Sequence, residues 1–410
     1  MLNELYEILN PGIQLFGYLS YRAVMAFIFA LLISFLIGPK IIRTLKNRQI
    51  GEMIRKNGPE SHQKKEGTPT MGGMIILLSV ILPTILFADI YNYYIQIVLI
   101  STLIMGIVGL FDDYLKVVKK YSKGLIARYK LISQILLGIF IALMLVNGPN
   151  ASGNYLEDNV SKQILIEDVS KYDYSASEVS IPFIPDKRFS SVKKMEKAPE
   201  VEYSSNSVPS GSVEIGIFLL IILSIFVISG SSNAINLTDG LDGLATGLSA
   251  IVFFTLGIIA YASGHVNFSS YLNITYISQS GEIAVFCMAM VGACLGFLWY
   301  NSHPASIFMG DTGSLALGAA MGTIAIILKK EILLIIIAGV FVIEALSVIM
   351  QVSFFKYTRK KYGAARKIFL MAPLHHHYEL KGIKESKIVI RFWIIGILLA
   401  LLALVTLKVQ

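Results

Sequence analysis

The stretch Tyr93–Lys116 reads YYIQIVLISTLIMGIVGLFDDYLK. From Tyr93 to Phe111 it carries no charged side chain, and it then stops on two adjacent carboxylates, Asp112 and Asp113, with Lys116 one turn further on. A straight helical crossing of a bilayer takes about 20 predominantly apolar residues, so the run reads as a membrane span. Two aspartates are costly inside hydrocarbon, so they mark its boundary. They suit a divalent cation or a proton-abstracting base, with Lys116 available to a phosphate. An ordinary interfacial helix end with solvated charges is the plainer reading.

The rest of the chain repeats this pattern. Of 410 residues 55% are hydrophobic and 15% charged, where a soluble domain would be about a quarter charged. The spacing gives an all-α polytopic membrane protein of about ten transmembrane helices: Ala23–Ile42, Met71–Phe87, Tyr93–Phe111, Leu131–Val146, Ile215–Gly230, Leu244–Tyr261, Ile283–Tyr300, Leu315–Leu328, Ile332–Phe355 and Ile388–Leu407. The fourth, fifth and eighth runs are short for a span. Gly38-Pro39 is expected to kink or end the first, and with Glu344 and Gln351 the ninth is expected to be bent or not uniformly lipid-facing. Residues 1–22 form an N-terminal extracytoplasmic or interfacial segment, 23–146 hold spans one to four, 147–214 form an extracytoplasmic insertion, and 215–410 hold spans five to ten, all in one integral membrane domain.

The net charge of +8 does not point to nucleic acid, because the cations cluster between apolar runs. Alternate loops carry them: Arg43 to Lys65, Lys116 to Lys130, and Arg359 to Lys387. The positive-inside rule makes those loops cytoplasmic, and with ten spans both termini lie outside. Cys287 and Cys294 share one apolar run and read as buried thiols rather than a disulfide framework.

The polar motifs fall on the cytoplasmic ends of the spans. Asn236 to Gly243 (NLTDGLDG) joins spans five and six; Asp239 and Asp242 would share one side of a helical turn, and the glycines permit close approach to a phosphate or sugar. A helix N-cap needs one such carboxylate, not Asn236, Asp239 and Asp242 together. Asn301 to Ser314 joins spans seven and eight, and Asp311 precedes a helix whose free N–H groups favour anions; capping by Asp311 or Thr312 is the alternative. His375-His376-His377 point in different directions, a poor three-histidine metal site and a better set of phosphate or leaving-group contacts. Lys64-Lys65 through Gly73 opens the second span and has a topological alternative. Glu344 either lines a groove or pairs with a neighbouring helix.

Taken together, five strings resemble the polyprenyl-phosphate N-acetylhexosamine-1-phosphate transferase superfamily: Thr68–Gly73, Leu110–Lys116, Asn236–Gly243, Phe308–Ser314 and Ala372–Glu379. Each is modest alone; all five in order, at alternate loops, are specific. The resemblance covers nearly all of the chain outside the N-terminus and 147–214. It implies ten helices around a cytoplasm-facing cleft in the bacterial inner membrane, Mg²⁺ as cofactor, and transfer of a sugar-1-phosphate from a UDP carrier to undecaprenyl phosphate with release of UMP. The Pro373–Glu379 string favours the branch whose donor is UDP-MurNAc-pentapeptide. The resemblance assigns Asp311 as metal ligand, Asp112 as candidate base and Asp113 as a supporting catalytic carboxylate. Asn236, Asp239, Gly240, Leu241 and Asp242, with Lys65 and Phe308, would form the nucleotide pocket. Lys116 and His375–His377 would contact phosphates, Thr70 and Asn301 complete the substrate-binding set, and a homodimer follows from the same resemblance. Asp311 is expected at the surface.

Three other functions stay open on the sequence. A related transferase could use another UDP-sugar, for teichoic acid or O-antigen. A transporter of phosphorylated lipid would fit ten spans and Glu344, against acidic residues gathered at one face and no repeat between halves. A non-enzymatic scaffold leaves the one-sided carboxylates without a reason.

Overall fold

The computed structural model describes residues 14–48, 67–119, 121, 124–148, 178–180, 188–190, 210–272 and 274–409. Its helices are α1 (Leu19–Asn47), α2 (Gly73–Phe87), α3 (Tyr93–Val117), α4 (Ala127–Val146), α5 (Ser210–Thr238), α6 (Leu244–Ser263), α7 (Val266–Leu272), α8 (Gly281–Asn301), α9 (Gly310–Ile327), α10 (Glu331–Ile337), α11 (Gly339–Tyr362), α12 (Leu374–Leu380) and α13 (Glu385–Thr406). Among the described residues nine helices are long and apolar enough to cross a membrane, and α2, with 15 residues, is a shorter apolar helix. The protein is therefore an all-α polytopic membrane protein. A short antiparallel pair, β1 (Glu178–Ser180) and β2 (Arg188–Ser190), lies within the insertion.

Each expected span meets a helix, with three differences. The short runs at the fourth, fifth and eighth positions extend into their polar flanks, to 20, 29 and 18 residues; the short helix is the second. The ninth run divides at Ala338 into α10 and α11.

The third is at Pro39: of the two expectations there, a kink or an end, the end does not occur, since α1 continues to Asn47. A helical proline strands the carbonyl four residues earlier, here that of Phe35. The Tyr300 hydroxyl of α8 donates to Phe35 O at 3.2 Å, so the stranded acceptor is satisfied from the neighbouring helix.

The core of the bundle is α9. It is the least apolar of the long helices yet nearly all of it is buried. Its glycines, alanines, serines and threonines let other backbones approach, which is how helices pack where apolar side chains gain little over lipid. A β-carbon at Gly109 of α3 would fall on the Asp311 carbonyl, and one at Gly318 of α9 would fall on Ser232 of α5. Cys287 and Cys294 are free and buried in α8.

At the end away from the carboxylates, Arg22 of α1 donates to both oxygens of Glu282 of α8 at 2.8 and 2.5 Å and to Phe87 O at 3.1 Å. The Asp89 amide donates to the same carboxylate at 2.9 Å. One bidentate pair thus ties α1, the α2–α3 turn and α8 together.

Gly109→Ala is expected to cost about 1–3 kcal/mol, because the added methyl overpacks a backbone contact. Thermal unfolding in detergent measures it; an unchanged midpoint would show that α3 and α9 are not held in this contact.

Candidate active site

The site begins with the end of α9. Its first amides have no partner within the helix, and Asp113 of α3 supplies one. Asp113 Oδ1 accepts from the Asp311 amide at 3.0 Å, and Oδ2 from the Thr312 amide at 2.9 Å and the Thr312 hydroxyl at 2.6 Å. The cap anticipated from Asp311 or Thr312 comes instead from another helix. Gly310, with φ of +72°, sits in the left-handed region, where a β-carbon would meet Asp113 Oδ2 at 2.6 Å and Thr70 Oγ1 at 3.0 Å. The Thr68–Gly73 string runs alongside: Phe308 N donates to Pro69 O, Gly72 N to Phe308 O and Gly73 N to Met309 O, each at 2.8 Å. Thr70 is buried there and Phe308 is half-buried.

Held by this cap, Asp311 faces Asp112. The three aspartates place one oxygen each within 4.8 Å of one another, a group able to hold a metal ion. Asp311 is 8% exposed, so it is not the surface carboxylate expected. Two lysines lie between the carboxylates. Lys116 reaches Asp112 Oδ2 at 2.5 Å and Asp311 Oδ2 at 3.1 Å. Lys130 reaches Asp112 Oδ2 at 2.9 Å and also pairs with Asp311 Oδ2. Asp112 Oδ1 accepts from the Leu125 amide at 2.6 Å. Asn236 Nδ2 donates to Asp311 Oδ1 at 2.8 Å and to Ser314 Oγ at 2.9 Å. Such an arrangement can gather anionic oxygens and a divalent cation at one point.

The Asn236–Gly243 string leaves α5 at Thr238 and turns, so Asp239 and Asp242 lie in a turn rather than on one side of a helix. Asp239 and Gly240 are half-buried, Leu241 and Asp242 buried. A β-carbon at Gly240 would strike His375 Nε2, so the glycine lets the histidine segment close over the turn. Asp242 Oδ2 accepts from Ala305 N at 3.1 Å and lies 3.0 Å from His303 Nδ1. Asn301 belongs to the framework: it is buried, accepts from Gly243 N and Thr246 Oγ1 at 3.1 and 3.0 Å, and donates to Ile307 O at 3.0 Å.

The three histidines have three different partners. His375 is buried; its amide and Nδ1 meet Glu344 at 3.2 and 3.1 Å, and its Nε2 has no hydrogen-bond partner. His376 Nδ1 lies 3.2 Å from Glu379 Oε2. His377 Nδ1 accepts from Leu370 N at 3.1 Å, and burial and the Lys381 ammonium hold that imidazole below the usual histidine range. Its Nδ1 thus serves the backbone rather than a phosphate. Glu344 pairs with a neighbouring element, the second of its two readings. Gln351 pins residues 368 and 369 through three hydrogen bonds of 3.0 to 3.2 Å.

Lys65 lies outside the described residues. Lys130, which pairs with both carboxylates, and His303 and Glu385, which meet Asp242, were not singled out in the sequence. Lys130 counted only as a topological charge, and nothing in sequence spacing ties it to Asp311.

These features define an integral membrane protein whose site, at one end of the bundle, is built from carboxylates, lysines and a close-packed helix start. Residues 95–329 match the family described as glycosyl transferase family 4. The chain is similar over its whole length to the phospho-N-acetylmuramoyl-pentapeptide-transferase of Flavobacterium johnsoniae, with 43% identity over 100% of both chains. That of Thermodesulfovibrio yellowstonii is 45% identical over 99% of this chain and 100% of its own, and that of Parabacteroides distasonis 41% over 100% and 99%. The chain belongs to glycosyl transferase family 4 and, within it, to the phospho-N-acetylmuramoyl-pentapeptide-transferases.

Asp113→Ala leaves three buried donors at the start of α9 without an acceptor and is expected to cost about 3 kcal/mol or more; Asp113→Asn keeps one acceptor and costs less. Thermal unfolding of both variants checks this. Equal, wild-type midpoints would remove Asp113 from the capping role.

Proposed function

We propose that the chain transfers phospho-N-acetylmuramoyl-pentapeptide from UDP-MurNAc-pentapeptide to undecaprenyl phosphate, releasing UMP and leaving lipid I, the first membrane step of peptidoglycan synthesis. The observation that carries this reading is the meeting of Asp112, Asp311, Lys116, Lys130 and Asn236, drawn from four helices, at one end of the bundle. The positive-inside pattern makes that end cytoplasmic, in the bacterial inner membrane. A second copy of the chain as partner rests on the family likeness alone.

The reaction brings two anions together. An oxygen of the lipid phosphate attacks the phosphorus bonded to the sugar; a new P–O bond forms, the bond to UMP breaks, and UMP leaves with the electron pair. Phosphoryl transfer asks the protein mainly for positioning and for charge that offsets repulsion. Lys116 and Lys130 supply that charge. Each already bridges two carboxylates, so each can turn to a phosphate without leaving Asp112 or Asp311 without a cation nearby. Asp112 orients the lysines toward the lipid phosphate; a base role adds little, since a phosphate monoester is largely ionised at neutral pH. Asp113 supports the reaction through the cap on α9.

Asp311, with Asp112 beside it, offers the hard oxygen donors that suit Mg²⁺, which uses one or two carboxylates with substrate phosphates and water. Bound there, Mg²⁺ would offset charge on the diphosphate and the leaving UMP. Asp113 has both oxygens committed to α9 and fits a ligand role poorly. Asn236, Asp239, Gly240, Leu241 and Asp242, with Lys65 and Phe308, form the nucleotide pocket in this reading. His375 and His376 border it at Gly240, and Thr70 and Asn301 hold its frame.

Purified protein given undecaprenyl phosphate, Mg²⁺ and UDP-MurNAc-pentapeptide is expected to release UMP, to stop with EDTA, and to release none from UDP-N-acetylglucosamine. Release only from the second donor would move the protein to a sister activity. Asp311→Asn is expected to lower turnover by about a hundredfold or more while the protein stays folded by circular dichroism. Near-normal turnover of that variant in Mg²⁺ would sink the metal assignment.

A further inference from the structure

Among the described residues, the Asp112–Asp311 cluster has one counterpart in which three His, Asp or Glu side chains meet closely: Asp242, His303 and Glu385. They come from the turn after α5, the α8–α9 connection and the first residue of α13. Asp242 and Glu385 side chains are 2% and 7% exposed, and His303 is 43% exposed, so the group dips from the surface into the protein.

The bonds run in a ring. Glu385 Oε1 accepts from the Asp242 amide at 2.7 Å. Glu385 Oε2 lies 3.3 Å from His303 Nδ1, and the same nitrogen lies 3.0 Å from Asp242 Oδ2. A ring nitrogen between two carboxylates acts as their donor, since ionised carboxylates only accept. Placed there, it offsets the repulsion between two neighbouring carboxylates.

We propose that His303 and Glu385 are positioning residues for the nucleotide: together they fix the backbone and the carboxylate of Asp242, and with them the turn Asp239–Gly243, before the donor arrives. The inference rests on the reading that this turn receives the uridine nucleotide. The turn lies between two helices and belongs to neither. Gly243, at φ of +79°, starts α6 with no side-chain cap of its own. The ring with His303 and Glu385 and the Ala305 amide orient Asp242. A preset carboxylate saves the donor the cost of ordering it, so the effect falls on donor binding. The carrier phosphate belongs to the Asp112–Asp311 cluster and is not served by this ring.

The test separates Nδ1 from the rest of the imidazole. In His303→Asn the amide nitrogen takes roughly the place of Nδ1; in His303→Gln it reaches toward the place of Nε2; in His303→Ala it is gone. Losing a hydrogen bond to a charged group is expected to raise the KM for UDP-MurNAc-pentapeptide about tenfold in the alanine variant, with kcat falling less than KM rises. The KM for undecaprenyl phosphate is expected to stay within about twofold, since an interaction lost far from a bound group leaves its binding unchanged. The Kd for UMP, by calorimetry, should rise in step with the donor KM. Asparagine should restore most of both constants and glutamine little. Glu385→Gln, which keeps one acceptor, should fall between.

An alanine variant with wild-type donor KM and UMP Kd would overturn the proposal, as would a carrier KM that rises equally, or rescue by glutamine as good as by asparagine. Should the alanine variant not fold, the asparagine–glutamine order decides. A wild type that binds UMP in that same order of variants but releases none from the donor would overturn the transferase reading and leave the positioning role standing. Neither turnover nor UMP binding by folded wild type would overturn both.

Discussion

The carboxylate of Asp113 laid across the start of α9 is the interaction on which the site depends. It takes three donors from a helix end that is buried among its neighbours, where an unpaired amide is costly. The cap fixes the height of α9 against α3, and so sets Asp311 opposite Asp112. Glycine makes the fit possible from both sides. Gly109 lets α3 lie on the Asp311 carbonyl, and Gly310 turns the chain into α9 beside Asp113 and Thr70. Sequence strings some two hundred residues apart, around Asp112 and around Asp311, are therefore one structural unit.

That unit explains why α9 is both the least apolar of the long helices and the most buried. A helix in contact with lipid gains from large apolar side chains. A helix surrounded by other helices gains from small ones that admit close packing. The position of α9 frees its end to carry polar groups, because side chains of α3, α4 and α5 meet it there. Asn236 and Asp113 do so directly, and Lys116 and Lys130 do so as charges.

The all-α, many-span architecture and the gathering of the described strings at one end were legible in the sequence, because apolar run length and boundary charge follow from the bilayer itself. Partnerships that depend on how helices cross were not. Nothing near Pro39 announces that Tyr300 will take up the Phe35 carbonyl and so let the helix run on past it. Lys130 looks like any positive-inside charge until α4 is packed beside α3. Asp239 and Asp242 have helical spacing but fall just past the end of α5. The three histidines look alike in sequence, and only the fold gives His375 to Glu344, His376 to Glu379 and His377 to the Leu370 amide.

The two ends of the bundle use ion pairs of different kinds, and the difference follows from the side chains. Away from the site, Arg22 grips Glu282 with a planar fork, two nitrogens on two oxygens, an arrangement that holds one geometry. At the site the cations are lysines, compact charges on flexible stems, each shared between Asp112 and Asp311 and more open to solvent than Arg22. A shared lysine loses little by exchanging one oxygen for another. In a site that must accept two anionic substrates and then let one leave, cations that can change partners are more useful than one locked to a single carboxylate. The cap of Asp113 and the shared charges of Lys116 and Lys130 are complementary for that reason: the first keeps Asp311 in place while the second pair can change partners.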